Sequence, residues 1–256
     1  MNQHYIVQLA AEAGKIILEN GGETFRVEET INRICISYDV LLAESFVTPT
    51  GIMVSAYTSN GENISIIKRI KKRSVNLEKI SKVNELSRDI SISKLSPSEF
   101  RDKLNEIDSS PPYSLLLTIF AGGMAAGFFT LLFDGSLRDF LVAFFTGLVL
   151  KCTTSFLDEL NINNFFINII GGALATIIAI LSIKIGIGIN LDKIIIGSIM
   201  LLVPGIAITN AIRDTIAGDL LAGISRATEA FLIACGIAVG SGIIMGLWIS
   251  SAGGAL

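Results

Sequence analysis

Five long apolar segments in the second half of the chain constrain its fold more than any other feature. They cover residues 113–133, 137–156, 165–184, 192–211 and 230–250. Each is long enough to cross about 30 Å of hydrocarbon as a helix. The second is the weakest, because Arg138, Asp139 and Lys151 flank its apolar core. We therefore expect an α-helical polytopic membrane protein with about five transmembrane helices.

Charge is concentrated before the first of these segments. Residues 1–110 carry 14 of the 20 Lys and Arg and 15 of the 23 Asp and Glu. This contrast predicts two domains, an N-terminal α+β domain over residues 1–110 and a five-helix transmembrane domain over residues 111–256.

Periodicity in the polar part supports the α+β class. Apolar residues recur at helical spacing over 4–19, 24–38 and 76–92. Between the second and third of these helices, β-branched and aromatic runs predict three short strands, broken at Pro49–Gly51 and Asn60–Gly61. A further helix is expected after Ser96, which has Glu99 three residues on as in a capping box.

Composition excludes several classes of protein. A net charge of −3 gives no basic surface for nucleic acid. Three separated cysteines and one histidine predict no disulfide framework, metal site or cofactor. The polar part has no phosphate loop, nucleophile elbow or HExxH, so we do not expect an enzyme. It also lacks a translocation signal, and we therefore place it in the cytoplasm, although the basic residues near the spans are evenly divided between the two sides.

The fourth apolar segment contains a helix break. Pro204 removes a backbone donor in the middle of the segment, and Gly205 makes local unwinding easier. Non-helical backbone at membrane depth persists where it is covered by protein or lines a cavity, as in the broken helices of transporters. A simple proline kink that improves helix packing is the alternative.

The stretch NAIRDTIAGDLLAGISRATEA, residues 210–230, places charges between two apolar segments. Its charged residues recur at helical spacing, which predicts a helix rather than a loop. Each charge would cost about 2.5–3.5 kcal/mol at the bilayer centre. Charges in such a place face a cavity, a partner or a substrate; structural ion pairs in a cytoplasmic turn are the alternative. The charged residues are Arg213, Asp214, Asp219, Arg226 and Glu229.

Four ordered motifs cover most of the chain. They are GGETFRVEETINRI, FVTPTGIMVS, RSVNLEKISKVNELSRDI and LLVPGIAITNAIRDTIAGDLLAGISRATEA. In sequence and spacing they resemble the threonine/serine exporter (ThrE) family of inner-membrane transporters. With five spans, the chain resembles the larger subunit of the split, two-component type. The resemblance implies export of threonine, serine or dicarboxylates such as succinate, from the bacterial inner membrane. It also implies a hetero-oligomer with a small hydrophobic partner of about four or five transmembrane helices.

The chemistry of a small carboxylate suits the charged stretch. Arg213 and Arg226 are cations that can hold a carboxylate with two hydrogen bonds. Proton-coupled export needs a carboxyl group that changes protonation, for which Asp214, Asp219 and Glu229 are candidates. Thr209 and Asn210, just after the broken helix, could bind an amino or hydroxyl group of the substrate.

The first motif contributes three further candidates. Glu23, Arg26 and Glu28 form either a structural or interdomain contact, or a gate that captures substrate. Together these features predict one subunit of a secondary-active, proton-coupled exporter of small amino or carboxylic acids. A passive channel of similar architecture and a membrane-anchored sensor are the alternative functions.

Overall fold

The structure is a computed structural model that describes residues 3–40, 42–57, 61–93 and 95–251. Asn60, the first residue of the second predicted strand break, lies outside these ranges. Backbone contacts divide the chain into two compact units. The first joins Met1–Pro111 to Gly205–Thr228, and the second joins Pro112–Pro204 to Glu229–Leu256. Most of the charged stretch therefore belongs to the same unit as the N-terminal residues.

The described residues form helices and strands in the following order. They are α1 (Gln3–Glu19), α2 (Thr24–Ser37), β1 (Leu42–Thr48), β2 (Gly51–Tyr57), β3 (Asn63–Arg69), α3 (Leu77–Ser93), α4 (Pro97–Ser109), α5 (Leu115–Leu132), α6 (Leu137–Glu159), α7 (Asn164–Lys184), α8 (Leu191–Ile199), α9 (Gly205–Ala217) and α10 (Leu220–Ser251). A mostly helical chain with a small N-terminal sheet is confirmed. The unit boundary falls inside α10, so its first residues belong to the first unit.

The three strands form one antiparallel sheet in the order β1-β2-β3. Val47 on β1 is opposite Ile52 on β2, and both side chains are buried because alternate residues of a strand share a face. That face packs into one apolar core with α1 and α2. Gly14 on α1 allows the two helices to approach closely, since a methyl group there would lie 2.8 Å from Ile31 on α2.

The capping box predicted before α4 is confirmed. Ser96 accepts a hydrogen bond from the Glu99 amide, and the Glu99 carboxylate accepts one from the Ser96 amide. The pair satisfies two of the amide groups left without a partner at a helix N-terminus. It therefore fixes where α4 begins.

Four of the described helices, α5, α6, α7 and α10, are long and apolar enough to cross a membrane. The predicted segment 192–211 is instead divided between α8, which ends at Ile199, and α9, which begins at Gly205. Pro204 has no amide hydrogen and disfavours helical geometry in the residue before it. The expected count of about five transmembrane helices is therefore not confirmed.

Small residues allow helices of the second unit to pack at close range. On α10, a methyl group at Gly240 would lie 2.0 Å from the carbonyl oxygen of Ile169 on α7. Gly236, one turn earlier, also faces α7, whereas Gly242 and Gly246 have no atom within 4 Å of such a methyl group. Of the two glycine pairs in the CGIAVGSGIIMG segment, only the first thus packs on α7.

Asp139, which weakens the second apolar segment, has a structural role at the start of α6. Its side chain is fully buried and forms a capping box with Ser136. The carboxylate also accepts hydrogen bonds from the amides of Ile189 and Asn190, at 2.7 and 3.0 Å, and from the Asn190 side chain at 2.8 Å. This carboxylate connects the loop before α8 to the beginning of α6.

Candidate functional site

The charged stretch forms a helix, a turn and a second helix. α9 ends at Ala217, Gly218 has a φ of +98°, and α10 begins after Asp219. The Asp219 carbonyl accepts the first helical hydrogen bond, from the Gly223 amide, at 2.9 Å. The predicted helix is interrupted at Gly218 and Asp219, because a left-handed residue ends a helix and glycine adopts that conformation most readily.

Asp214 on α9 caps the N-terminus of α2. Glu23 occupies the residue position before α2 but makes no side-chain capping bond. Instead, Asp214 Oδ1 accepts hydrogen bonds from the Thr24 amide at 3.2 Å and from the Thr24 hydroxyl at 2.9 Å. A carboxylate at this place satisfies an otherwise unpaired amide and interacts favourably with the positive end of the helix dipole.

Arg226 on α10 neutralises the buried Asp214. Its Nε lies 2.9 Å from Asp214 Oδ2, with side-chain exposures of 7% and 0%. A terminal nitrogen of Arg226 also donates to the Gly22 carbonyl at 2.8 Å, and Asn210 donates to the Gly21 carbonyl at 2.9 Å. Buried charges are stable only when they are compensated: here the two charges pair with each other, the guanidinium group donates to the Gly22 carbonyl, and Asp214 Oδ1 accepts from Thr24.

Glu23 accepts hydrogen bonds from two arginines. Arg26 Nε lies 2.7 Å from Glu23 Oε2, and Arg213 donates to Oε1. Burial alone would raise the pKa of Glu23, but the hydrogen bonds from these guanidinium groups outweigh it and lower the pKa from 4.5 to about 2. The Arg213 side chain is 56% exposed, compared with 8% for Glu23. In the Arg213–Glu23 pair, Arg213 is therefore the residue that is more accessible to solvent.

Glu28 lies one helical turn beyond Thr24 and completes a group of acids. It accepts a hydrogen bond from the Val47 amide on β1 at 3.0 Å. Burial raises its pKa above the ordinary value, and Asp219 and Asp214, when they are ionised, raise it further, against the effect of the Val47 hydrogen bond. Three carboxyl groups therefore interact electrostatically around the first turn of α2.

Asp219 borders a small cavity next to Thr24. Its Oδ2 lies 3.0 Å from the Thr24 hydroxyl oxygen. The cavity has a volume of about 170 Å³, enough for several water molecules at about 30 Å³ each. It is lined by Phe46, Val47, Gly218, Asp219, Leu220, Leu221 and Ala222.

The other predicted site residues lie outside this group. The Thr209 hydroxyl donates to the Gly205 carbonyl at 2.9 Å within α9. Pro204 and Glu229 belong to the second unit. The structure therefore brings together Asn210, Arg213, Asp214, Asp219 and Arg226 with Glu23, Arg26 and Glu28.

Sequence reasoning missed Thr24, the residue that links the two motifs. Its hydroxyl contacts both Asp214 and Asp219. A signal was present, because Thr24 follows two glycines and lies at the start of a predicted helix, where amide groups need acceptors. Nothing in the sequence indicated that the acceptor would come from a residue 190 positions away.

The four long apolar helices are those of a multi-pass membrane protein. The chain belongs to the threonine/serine exporter family: the profile described as "Putative threonine/serine exporter" matches residues 8–248. No solved structure gives a significant match to the chain.

Curated relatives extend the comparison. The chain is 26% identical over 247 residues to the "Threonine/serine exporter" of Corynebacterium glutamicum, covering 93% of this chain and 50% of the relative. It is 23% identical over 238 residues to the "Probable threonine/serine exporter" of Mycobacterium tuberculosis, covering 92% and 45%. It is 21% identical over 249 residues to the "Probable succinate transporter subunit YjjP" of Klebsiella aerogenes, covering 96% and 95%. The chain thus spans about half the length of the first two relatives.

Proposed function

We propose that the chain is one subunit of a secondary-active, proton-coupled exporter of small amino or carboxylic acids. Threonine, serine and dicarboxylates such as succinate are the expected substrates, because these are the compounds that the names of the relatives contain. The membrane is the bacterial inner membrane, and the N-terminal residues face the cytoplasm. The observation that carries the proposal is the group of arginines and carboxyl groups around the first turn of α2.

Arg213 is the group that binds the substrate carboxylate. Half of its side chain is exposed, and its partner Glu23 also has Arg26 as a second partner. Glu23 therefore remains paired when Arg213 turns to a carboxylate in solution. Arg226 is less suitable, because it is buried against Asp214 and the Gly22 carbonyl. A guanidinium group matches the two oxygens of a carboxylate with two parallel donors.

The neighbouring acids supply the proton-binding part of the mechanism. Asp214, Asp219 and Glu28 surround the first turn of α2, so protonation of one changes the charge felt by the others. Coupling requires that the protonation state and substrate binding affect each other's free energy. Thr24, which contacts the acids, is adjacent to Glu23, which pairs with Arg213. Proton binding and binding of the substrate carboxylate would therefore involve the same short segment at the N-terminus of α2.

A second subunit completes the transporter. The chain spans about half the length of two relatives, and a third, similar over its whole length, is named as a transporter subunit. A small hydrophobic protein with about four or five transmembrane helices would supply the remaining spans. We include α8 with the start of α9 as the fifth span of this chain, interrupted at Pro204–Gly205.

Transport by the purified complex tests the proposal. The chain is co-purified with its hydrophobic partner and reconstituted in proteoliposomes. The proteoliposomes are then loaded with labelled threonine, serine or succinate. We expect counterflow of at least one substrate, and transport driven by a proton gradient that stops when an uncoupler is added. In Arg213→Ala, the transport activity should fall at least about tenfold, which corresponds to about 1.4 kcal/mol.

Arg33→Ala is the matched control. Like Arg213 on α9, Arg33 on α2 is paired with a glutamate, Glu29, but it lies outside the site. Full transport by Arg213→Ala would refute the assigned role of Arg213. Transport that persists unchanged without a proton gradient would refute coupling and favour the passive channel.

A further inference from the structure

We propose that Asp219 is the carboxyl group that binds and releases the proton, and that the Thr24 hydroxyl communicates its protonation state to the N-terminus of α2. This inference rests on the proposed function for its role in transport, but the chemistry is tested without a transport assay. It assigns one residue and one hydrogen bond within a site where several acids are candidates.

The Thr24 hydroxyl has a single hydrogen atom and lies between two carboxyl groups. Its hydroxyl oxygen lies 2.9 Å from Asp214 Oδ1 and 3.0 Å from Asp219 Oδ2. A hydroxyl group donates one hydrogen, and an ionised carboxylate only accepts. Thr24 can form two full hydrogen bonds, rather than share its one hydrogen between two acceptors, when one of the two carboxyl groups carries a proton and donates it to Thr24. If both were ionised, two negative charges would lie within about 6 Å of each other, which disfavours the doubly charged state.

Asp214 is the carboxyl group that stays ionised. It is fully buried, forms an ion pair with Arg226 at 2.9 Å and accepts a hydrogen bond from the Thr24 amide. The ion pair and the amide hydrogen bond both favour the charged form, against the effect of burial. Asp219 is half-buried, and within the described residues no ion pair of Asp219 is found. The proton therefore belongs on Asp219 Oδ2, which donates to Thr24, while Thr24 donates to Asp214.

The charged residues of the site come from several elements around the first turn of α2. They come from α2 and the residue before it, from α9 and from α10, while β1 contributes Phe46 to the cavity wall and the Val47 amide to Glu28. The group contains four acids, counting Asp219 itself, and three arginines. The members are Glu23, Arg26, Glu28, Arg213, Asp214, Asp219 and Arg226.

The cavity provides access for the proton. Asp219 lines its wall, and the volume of about 170 Å³ accommodates several water molecules that could deliver or accept a proton. Asp214 is absent from this lining and has no exposed surface. Water therefore reaches Asp219, and Thr24 separates it from the buried ion pair.

Loss of the proton breaks one hydrogen bond of Thr24. The proton leaves Asp219 Oδ2 for water, and the hydroxyl hydrogen of Thr24 can then satisfy only one of the two carboxylates. Asp214 keeps it, since Asp214 also caps α2 through the Thr24 amide. The turn at Gly218–Asp219 is then released from α2, and this is the change that protonation controls.

Infrared difference spectroscopy of the full chain in membranes tests the assignment. A pH titration should show the carbonyl stretch of a protonated carboxyl group that is lost in Asp219→Asn and kept in Asp102→Asn, a surface control on α4. Thr24→Val should move the titration of this band to lower pH by roughly half to one unit, because the acceptor for the protonated form is gone. Thr24→Ser should restore the wild-type value.

Two results would overturn the inference. One is a band that persists in Asp219→Asn; the other is a titration unchanged, or moved to higher pH, in Thr24→Val. Asp219→Asn is expected to fold, since an amide donates to Thr24 as the protonated acid does, and circular dichroism checks this. If it does not fold, the Thr24→Val and Thr24→Ser titrations decide alone. A band that follows these rules in a protein without transport would refute the proposed function and leave the proton assignment standing.

Discussion

Arg226 and Asp214 form a buried ion pair in which Nε and Oδ2 lie 2.9 Å apart. The two residues come from different helices, and Asp214 also caps a third helix, α2, through Thr24. One carboxylate thus joins three helices of the first unit. The partners of Asp214 are Thr24, from the first of the four motifs, and Arg226, from the charged stretch itself.

The ion pair predicts a strongly non-additive pair of substitutions. Arg226→Gln leaves the Asp214 charge buried without its partner, and we expect it to lower the free energy of unfolding by about 3–5 kcal/mol. Adding Asp214→Asn should cost much less than it does alone, because the charge to be compensated is gone. Chemical unfolding of the purified chain measures both. Simple additivity would contradict the assigned coupling, and Lys193→Gln, in an exposed pair with Asp192, serves as the control.

Glu23 predicts a loss of stability in acid. Its pKa is lowered to about 2 in the folded protein from 4.5, so the folded state binds its proton less readily than the unfolded state does. The stabilisation is therefore fully present above about pH 4.5 and is lost as the pH falls towards 2. Unfolding free energies measured across this range should fall less steeply in Glu23→Gln than in the wild type. Parallel curves for the two proteins would contradict the prediction; Glu106→Gln on α4 is the control.

Two glycines on α10 predict opposite responses to alanine. Gly240→Ala places a methyl group 2.0 Å from the Ile169 carbonyl, which forces α7 and α10 apart. We expect a loss of about 1–3 kcal/mol, as for overpacked cores. Gly242→Ala meets no atom within 4 Å and should be neutral or slightly stabilising, since alanine favours helices. Thermal unfolding of the chain alone measures the difference, and equal effects would show that α10 does not pack on α7 through this face.

Asp139 predicts a local loss of structure in the loop before α8. Asp139→Ala leaves the Ile189 and Asn190 amides without their acceptor, and we expect a loss of about 1–3 kcal/mol. Faster hydrogen exchange at these two amides is the direct measurement. Asp192→Ala, an exposed acid on the next helix, should leave their exchange unchanged. Unaltered protection in Asp139→Ala would contradict the role of this carboxylate.

Periodicity and local signals predicted most of the secondary structure. The helices of the N-terminal part, three strands and the Ser96–Glu99 capping box follow from residues that are close in sequence. The turn at Gly218 was also within reach, because a glycine followed by Asp219 matches a helix end and a helix start. This local signal is weaker than the helical spacing of the charges, because a one-residue interruption changes the periodicity over about twenty residues very little.

The pairing of the charged residues was beyond the sequence. Helical spacing alone places Asp219 and Arg226, seven residues apart, on one face of a helix and so favours partners within the stretch itself. In the structure, Arg213 pairs with Glu23, and Arg226 with Asp214. Long-range pairing depends on how the chain returns to the N-terminal part, and one sequence carries no local signal for that. The candidate residues were therefore predictable as a set, but their roles were not.

The hydrogen bonds between Thr24 and Asp214 connect residues 190 positions apart, and this separation sets an order of events during translation. Ribosomes add about 5–20 residues per second, so α2 is made roughly 10–40 seconds before the residue that caps it. All of α5 to α8 must leave the ribosome in between. The N-terminus of α2 in a nascent chain therefore lacks this cap at first, and the first unit is completed only after α5 to α8 of the second unit have been synthesised.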